Sequence, residues 1–140
     1  MERRSCAPRP QVTRFLSVDQ VIELHDALDG ASLIDRSKLE GAVGRPQASF
    51  DGGTLLHPTI YMQASVLLHG IVAAHAFADA NKRTAWVATL TFLDLNEVQI
   101  ITLDDEYWSD YMVEVAVHVH SEEDTAFWFA ALDPANARLL

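Results

Sequence analysis

"AAHAFADANKRTAW", residues 73–86, lies in the most apolar part of a chain with twice as many acidic as basic residues, 20 against 10. Within nine consecutive positions it gathers a histidine, an aspartate, an asparagine, a lysine and an arginine. On both sides the pattern is helical. Upstream, Pro58 suits the first turn of a helix, and Ile60, Ala64, Leu67, Leu68, Ile71 and Val72 carry that helix to about Ala74 with apolar residues on nearly every side. This predicts a central, buried helix. Downstream, a second helix begins near Lys82 and runs through Trp86, Leu90 and Leu93 to about Leu95, with Asn96 as a left-handed cap. The polar cluster is thus the junction of two core helices.

The remaining elements follow the same period. Ser17 and Gln20 form a capping box, Leu16 and Val21 a hydrophobic staple, and Val18, Val21, Ile22 and Leu28 recur at helical spacing, which predicts a helix over 18–28. Asp35 caps a short second helix carrying Leu39 and Val43 on one face, ended by Gly44 with Pro46 beyond it. In "QASFDGGTLLH", residues 47–57, Gly52-Gly53 separates two short runs able to pair as a hairpin or flap, although an ordinary connecting loop reads equally well. After "VQIIT", an extended link, Asp104, Asp105 and Glu106 open a helix through Val117, and Ser121 with Asp124 caps the last one. The expected fold class is all-α, a helical bundle with one small β-hairpin.

Composition bounds the function. A chain of 140 residues is one domain, able to bury roughly two thirds of its unfolded surface without disulfide or metal. The single cysteine, Cys6, makes no internal bridge, and the polar, Pro-rich segment around it has no signal-peptide core, so the cytoplasm is the expected compartment. The uncharged stretch 52–78 contains two adjacent glycines, Pro58, Gln63 and three histidines, whereas a membrane span needs about 20 predominantly apolar residues. Residues 1–14 carry four arginines against one glutamate and read as a flexible basic tail; residues 15–140, the folded domain, carry 6 bases against 19 acids, a net charge of −13. Such a body repels nucleic acid and attracts basic partner segments.

Against that background the junction is unusual. Lys82 and Arg83 fall in the first turn of a helix, the end where the dipole is already positive. Free backbone N–H groups, an Asn81 amide and two cations converging on a helix N-terminus describe an anion site, with phosphate its usual occupant. His75 is able to accept a proton near neutral pH, and Asp79 beside phosphates is a natural first ligand for Mg²⁺. Phe77 between them anchors the loop to the core. Each residue alone is ordinary, a helix end, an ion pair or a core histidine; together they read as nucleotide-dependent transfer of a phosphorus group to a hydroxyl.

"HAFADANKR", residues 75–83, resembles the signature of the Fic/Doc superfamily, and its Ala-Asn-Lys-Arg form followed by Thr84-Ala85 resembles the Doc (death-on-curing) branch. "LSVDQVIELHDAL", "LIDRSKLEGAVGRPQ" and "LLHPTIYMQASVLLHGIVAAHAF" are also similar to Doc-type segments in the same order, so the resemblance covers residues 15–132. It implies a Fic/Doc-like helical bundle with a flap. His75 matches the histidine that deprotonates the target hydroxyl, and Asp79 matches the acid that holds Mg²⁺ on the nucleotide. Ala80, Asn81, Lys82 and Arg83 match the nucleotide-binding positions, with Lys82 and Arg83 counted in the catalytic set beside His75 and Asp79. Lys82 stands where adenylylating members have glycine, and Trp86 where they have a further arginine. The resemblance therefore implies a kinase-like reaction: ATP with Mg²⁺ as donor, the γ-phosphoryl transferred, and a threonine of elongation factor Tu as acceptor. It also implies an antitoxin whose C-terminal segment folds on this chain, and a docking role for the flap residues Ser49, Phe50, Asp51, Gly52, Gly53, Thr54, Leu55 and Leu56. AMP transfer, and a catalytically silent antitoxin-binding module, are the alternatives.

Other residues read as structural. His118 and His120 point apart if both lie on a helix, and no third ligand at zinc spacing follows. His25 reads as a helix-surface residue, His57 as an N-cap and His69 as a core histidine; Trp108, Tyr111, Trp128 and Phe129 read as core. No P-loop or standard protein-kinase motif occurs.

Overall fold

The structure is a computed structural model that describes residues 12–30, 32–101 and 104–137. Most of the expected basic tail, residues 1–11, lies outside the described residues. Helix α1, Val18–Leu28, opens on the expected capping box: the Ser17 hydroxyl accepts the Gln20 N–H at 3.1 Å and the Gln20 side chain accepts the Ser17 N–H at 2.8 Å. Helix α2, Arg36–Gly44, starts where Asp35 accepts the Lys38 N–H, buries Leu39, Ala42 and Val43, and runs into a 3₁₀ turn at Arg45–Gln47. Strands β1, Ser49–Phe50, and β2, Thr54–Leu55, pair antiparallel with Phe50 opposite Thr54, so the flap is a hairpin. Asp51 and Gly52 both take left-handed backbone at its tip, the conformation such a tight turn demands.

Helix α3, Ile60–Ala74, is the central element. It buries Gln63, Ala64, Ser65, Val66, Leu67, Leu68, Ile71 and Val72, and packs against α2 and the later helices α4, Asn81–Leu95, α5, Asp105–Ala116, and α6, Glu122–Leu132. Its start differs from the sequence expectation. Pro58 lies before the helix and His57 is not the cap; Thr59 takes that role because its hydroxyl accepts the Met62 N–H at 3.1 Å. Close approach of α2 to α3 requires Gly70, where an added Cβ would stand 3.2 Å from that of Ala42.

Helix α4 ends without a left-handed Asn96. Asn96 has φ −104° and Glu97 takes the positive φ instead, because the helix closes one residue later, with the Glu97 N–H donating to the Asp94 carbonyl at 3.0 Å and the Val98 N–H to the Leu93 carbonyl at 2.9 Å; the Asn96 amide is used elsewhere. It exchanges hydrogen bonds with the backbone of Arg14 and donates to the Phe92 carbonyl, tying the segment before α1 to the end of α4. Helix α6 opens on the expected Ser121–Asp124 capping box, and a short α7, Pro134–Ala137, follows it unforeseen. Tyr111 and Phe129 are buried as expected, while Trp108 and Trp128 are half-buried rings packed against the core. His118 and His120 lie on the turn after α5 rather than on a helix, and His120 pairs with Glu114 at 2.7 Å. None of the described helices is long and apolar enough to cross a membrane. The described fold is all-α with one small hairpin, as expected.

Candidate functional site

The polar junction is the loop 75–80 between α3 and α4, and the backbone holds it in a strained shape. His75 ends α3 with φ 47° and ψ 44°, and Ala80 precedes α4 with φ 64°. A left-handed residue that is not glycine costs roughly 1–2 kcal/mol, so two within six positions persist only because neighbouring structure fixes them.

The fixing contacts come from three directions. The segment before α2 pins the loop from outside: the N–H groups of Ile34 and Asp35 donate to the Ala76 carbonyl at 2.7 and 3.1 Å, and Ala78 N–H donates to the Ser32 carbonyl at 2.9 Å. From within, the Asn81 amide donates to the Phe77 carbonyl at 2.9 Å and its oxygen accepts the Phe77 N–H at 3.1 Å. From below, the Phe77 ring is buried and stacks on the His25 ring with centroids 3.7 Å apart. His25, expected on the helix surface, is fully buried, and its Nδ1 shares a 2.8 Å hydrogen bond with the Thr84 hydroxyl in the first turn of α4. With Ala76 and Phe77 drawn inward, His75, Ala78 and Asp79 are left exposed.

The resulting cleft has a volume of about 320 Å³. His75, Asp79, Ala80, Asn81, Lys82 and Arg83 all line it, so the fold brings the whole predicted junction set together. The flap residues do not line this cleft. Its far wall is Trp108, Ser109 and Met112 of α5, with Asp29 at the end of α1. These wall residues carry no local sequence signal, since they meet the junction only through packing. His25 did carry one: it stands four residues after Val21 on the apolar stripe of α1.

The electrostatics of the cleft follow from what α4 lacks. No side chain caps its N-terminus and no acid occupies its first turn. Among the described residues neither Lys82 nor Arg83 forms an ion pair, and both are exposed. One Asp79 oxygen accepts the Ala80 N–H at 2.7 Å, and the other has no partner among the described residues. Unspent N–H groups, two unpaired cations and one outward carboxylate suit a polyphosphate with its cation. The Asn81 amide contributes differently than expected, since it is engaged with Phe77 and serves the cleft by shaping the loop.

His75 also borders a second, wider groove of about 930 Å³ between α2, α3 and the turn 117–121. Burial holds the His69 imidazole there below its ordinary range, partly opposed by Glu122. The Arg45 guanidinium, hydrogen-bonded through both terminal nitrogens, holds the Glu122 carboxyl below the usual carboxylate range.

Comparison with known proteins places the chain in a family. The model of the Fic/DOC family matches residues 15–93, more than half of the chain and all of the junction. The chain belongs to the Fic/Doc family. Within it, the Doc branch is the nearer one: the chain is 37% identical over 108 residues to Toxin Doc of Mycolicibacterium smegmatis, covering 75% of this chain and 82% of that protein. It is 33% identical over 122 residues to Protein kinase doc of Escherichia phage P1, covering 80% of this chain and 92% of that protein. The Fic/Doc match thus spans the flap, α3, the loop and α4 as far as Leu93.

Proposed function

We propose that this chain is the toxin of a toxin–antitoxin pair and transfers the γ-phosphoryl group of Mg·ATP to a serine or threonine hydroxyl of a translation factor of the elongation factor Tu type. The observation that carries this reading is the N-terminus of α4 with no side-chain cap, with Lys82 and Arg83, in no ion pair among the described residues, beside it and His75 at the lip of the same cleft. The names of the two Doc relatives support it.

His75 lines both the cleft and the wider groove, which suits a base acting between a donor in one and an acceptor in the other. It takes the proton of the acceptor hydroxyl as that oxygen forms its bond to the γ-phosphorus. The bond from the γ-phosphorus to the bridging oxygen breaks, and ADP leaves with the electron pair. Lys82, Arg83 and the N–H groups of α4 hold the charge that develops on the phosphates. Bound Mg²⁺ supplies further charge neutralisation, and Asp79, with its free oxygen, is the group suited to hold it. The flap, with Phe50 and Leu56 exposed, docks the target chain. The partner antitoxin occupies the chain through its C-terminal segment.

Two experiments test this. ATP labelled on its γ phosphorus marks the target if phosphoryl transfer occurs, whereas label on the α phosphorus marks it only if AMP is transferred. His75→Ala abolishes growth arrest and leaves antitoxin binding intact; arrest by that variant removes His75 from the mechanism, and a target that takes up neither label removes the enzyme reading.

A further inference from the structure

The buried His25 has no part in the chemistry above, yet it touches both the loop and the first turn of α4. Its ring lies against Phe77, interplanar angle 13°, at the middle of the loop. Its Nδ1 shares the 2.8 Å hydrogen bond with Thr84, which is itself fully buried in the first turn of α4. One α1 side chain therefore spans the loop that ends in the phosphate cradle and the helix that forms it. The Thr84 N–H closes that first turn on the Ala80 carbonyl at 2.9 Å, so a shift of Thr84 moves the left-handed residue at the cradle.

We infer that His25 is a positioning residue: through Phe77 and Thr84 it fixes the first turn of α4 relative to His75, and so sets the distance between the base and the phosphates. The catalytic part of this inference rests on the proposed phosphoryl transfer. The physical argument is that the strained conformations of His75 and Ala80 persist only while the surrounding structure over-determines them, so loss of a tie beside them is felt there. The outer ties reach Ala76 and Ala78, and the Asn81 tie reaches Phe77, but the His25–Thr84 bond alone links α1 to the body of α4's first turn among the hydrogen bonds described. Losing it frees the cradle to tilt while the ligand-binding groups all remain.

Two variants bear on the tie: Thr84→Val removes the bond to His25 and keeps every other contact of the His25 ring, and His25→Phe keeps a ring against Phe77 and loses all hydrogen bonding by the imidazole. Each is expected to lower kcat for transfer from Mg·ATP to elongation factor Tu at least tenfold, toward the roughly 10²-fold cost of a misplacement of about 1 Å. The Kd for Mg·ATP by calorimetry is expected to change less than about threefold, because no phosphate contact is removed. The double variant is no slower than either single one, and Thr84→Ser, which keeps the hydroxyl, retains full kcat. Native-state hydrogen exchange supplies a readout independent of the reaction: the Phe77 and Ala78 amides exchange faster while the Leu67 and Leu68 amides of α3 do not. Unchanged loop exchange in both variants, or a rise shared equally with α3, overturns the inference and leaves His25 a contributor to global stability alone. A wild-type protein that transfers no phosphate to elongation factor Tu removes the proposed reaction, and the exchange comparison still decides the clamp.

Discussion

Replacing Asn81 by alanine removes the one side chain that serves both backbone groups of Phe77, a residue 2% exposed. A buried backbone group left unpaired costs about 1–3 kcal/mol, so the two together set a range of roughly 2–6 kcal/mol. The loop is open to water on its outer side at Ala78 and Asp79, and water that reaches one of the two groups brings the loss to about 1–3 kcal/mol. For a chain of 140 residues, at about 3 °C per kcal/mol, the thermal midpoint falls by roughly 3–9 °C. Asn81→Asp separates stability from binding. It keeps an acceptor for the Phe77 N–H, loses the donor to the Phe77 carbonyl, and places a negative charge at the start of α4, which the helix dipole favours by about 0.3–1 kcal/mol. It therefore melts above Asn81→Ala yet binds Mg·ATP more weakly than that variant, because its charge repels phosphate. Scanning calorimetry and titration calorimetry on the two variants measure both quantities. An alanine variant that melts within about 2 °C of wild type would refute the reasoning, since Phe77 would then need no help from Asn81.

Three further outcomes follow from other contacts. Glu122 has its folded pKa depressed by Arg45, so its contribution is full above its ordinary value of 4.5 and is lost as pH falls through the lower folded value. For a partly exposed pair this is at most about 1 kcal/mol, and the midpoints of wild type and Glu122→Gln converge in acid. Tyr61, whose hydroxyl donates to Asp133 at 2.6 Å, has its phenol pushed up to about 12, chiefly by burial and then by that carboxylate. Its stabilisation is full below its ordinary value of 10.0 and is lost as pH rises toward about 12; Tyr61→Phe removes that phenolate absorbance step. Phe50→Ser on the flap leaves stability within about 0.5 kcal/mol, because the ring is exposed, and lowers labelling of the target without changing ATP affinity; equal labelling would end the docking role.

The helices were legible because their signals are local. Ser17 with Gln20, Asp35, and Ser121 with Asp124 announce helix starts through bonds that span three residues, and the apolar spacing of 60–72 marks a buried helix without reference to any partner. Where a cap is decided by competition, sequence was weaker: Thr59 displaced Pro58 and His57, and Asn96 was drawn to Arg14 some eighty positions away.

The junction shows the same division. The residue types of 75–83 by themselves determined that an imidazole, a carboxylate and two cations meet at the start of a helix, because a helix N-terminus and its first turn are made by consecutive residues. Only the tertiary structure decided that His25 turns inward to hold Phe77 and Thr84, that the Asn81 amide goes to the loop, and that Trp108 and Ser109 wall the cleft. Those outcomes depend on which side chains distant segments bring within hydrogen-bond or ring-contact range, and that is set by the packing of α1, α4 and α5, not by the order of residues along any one of them.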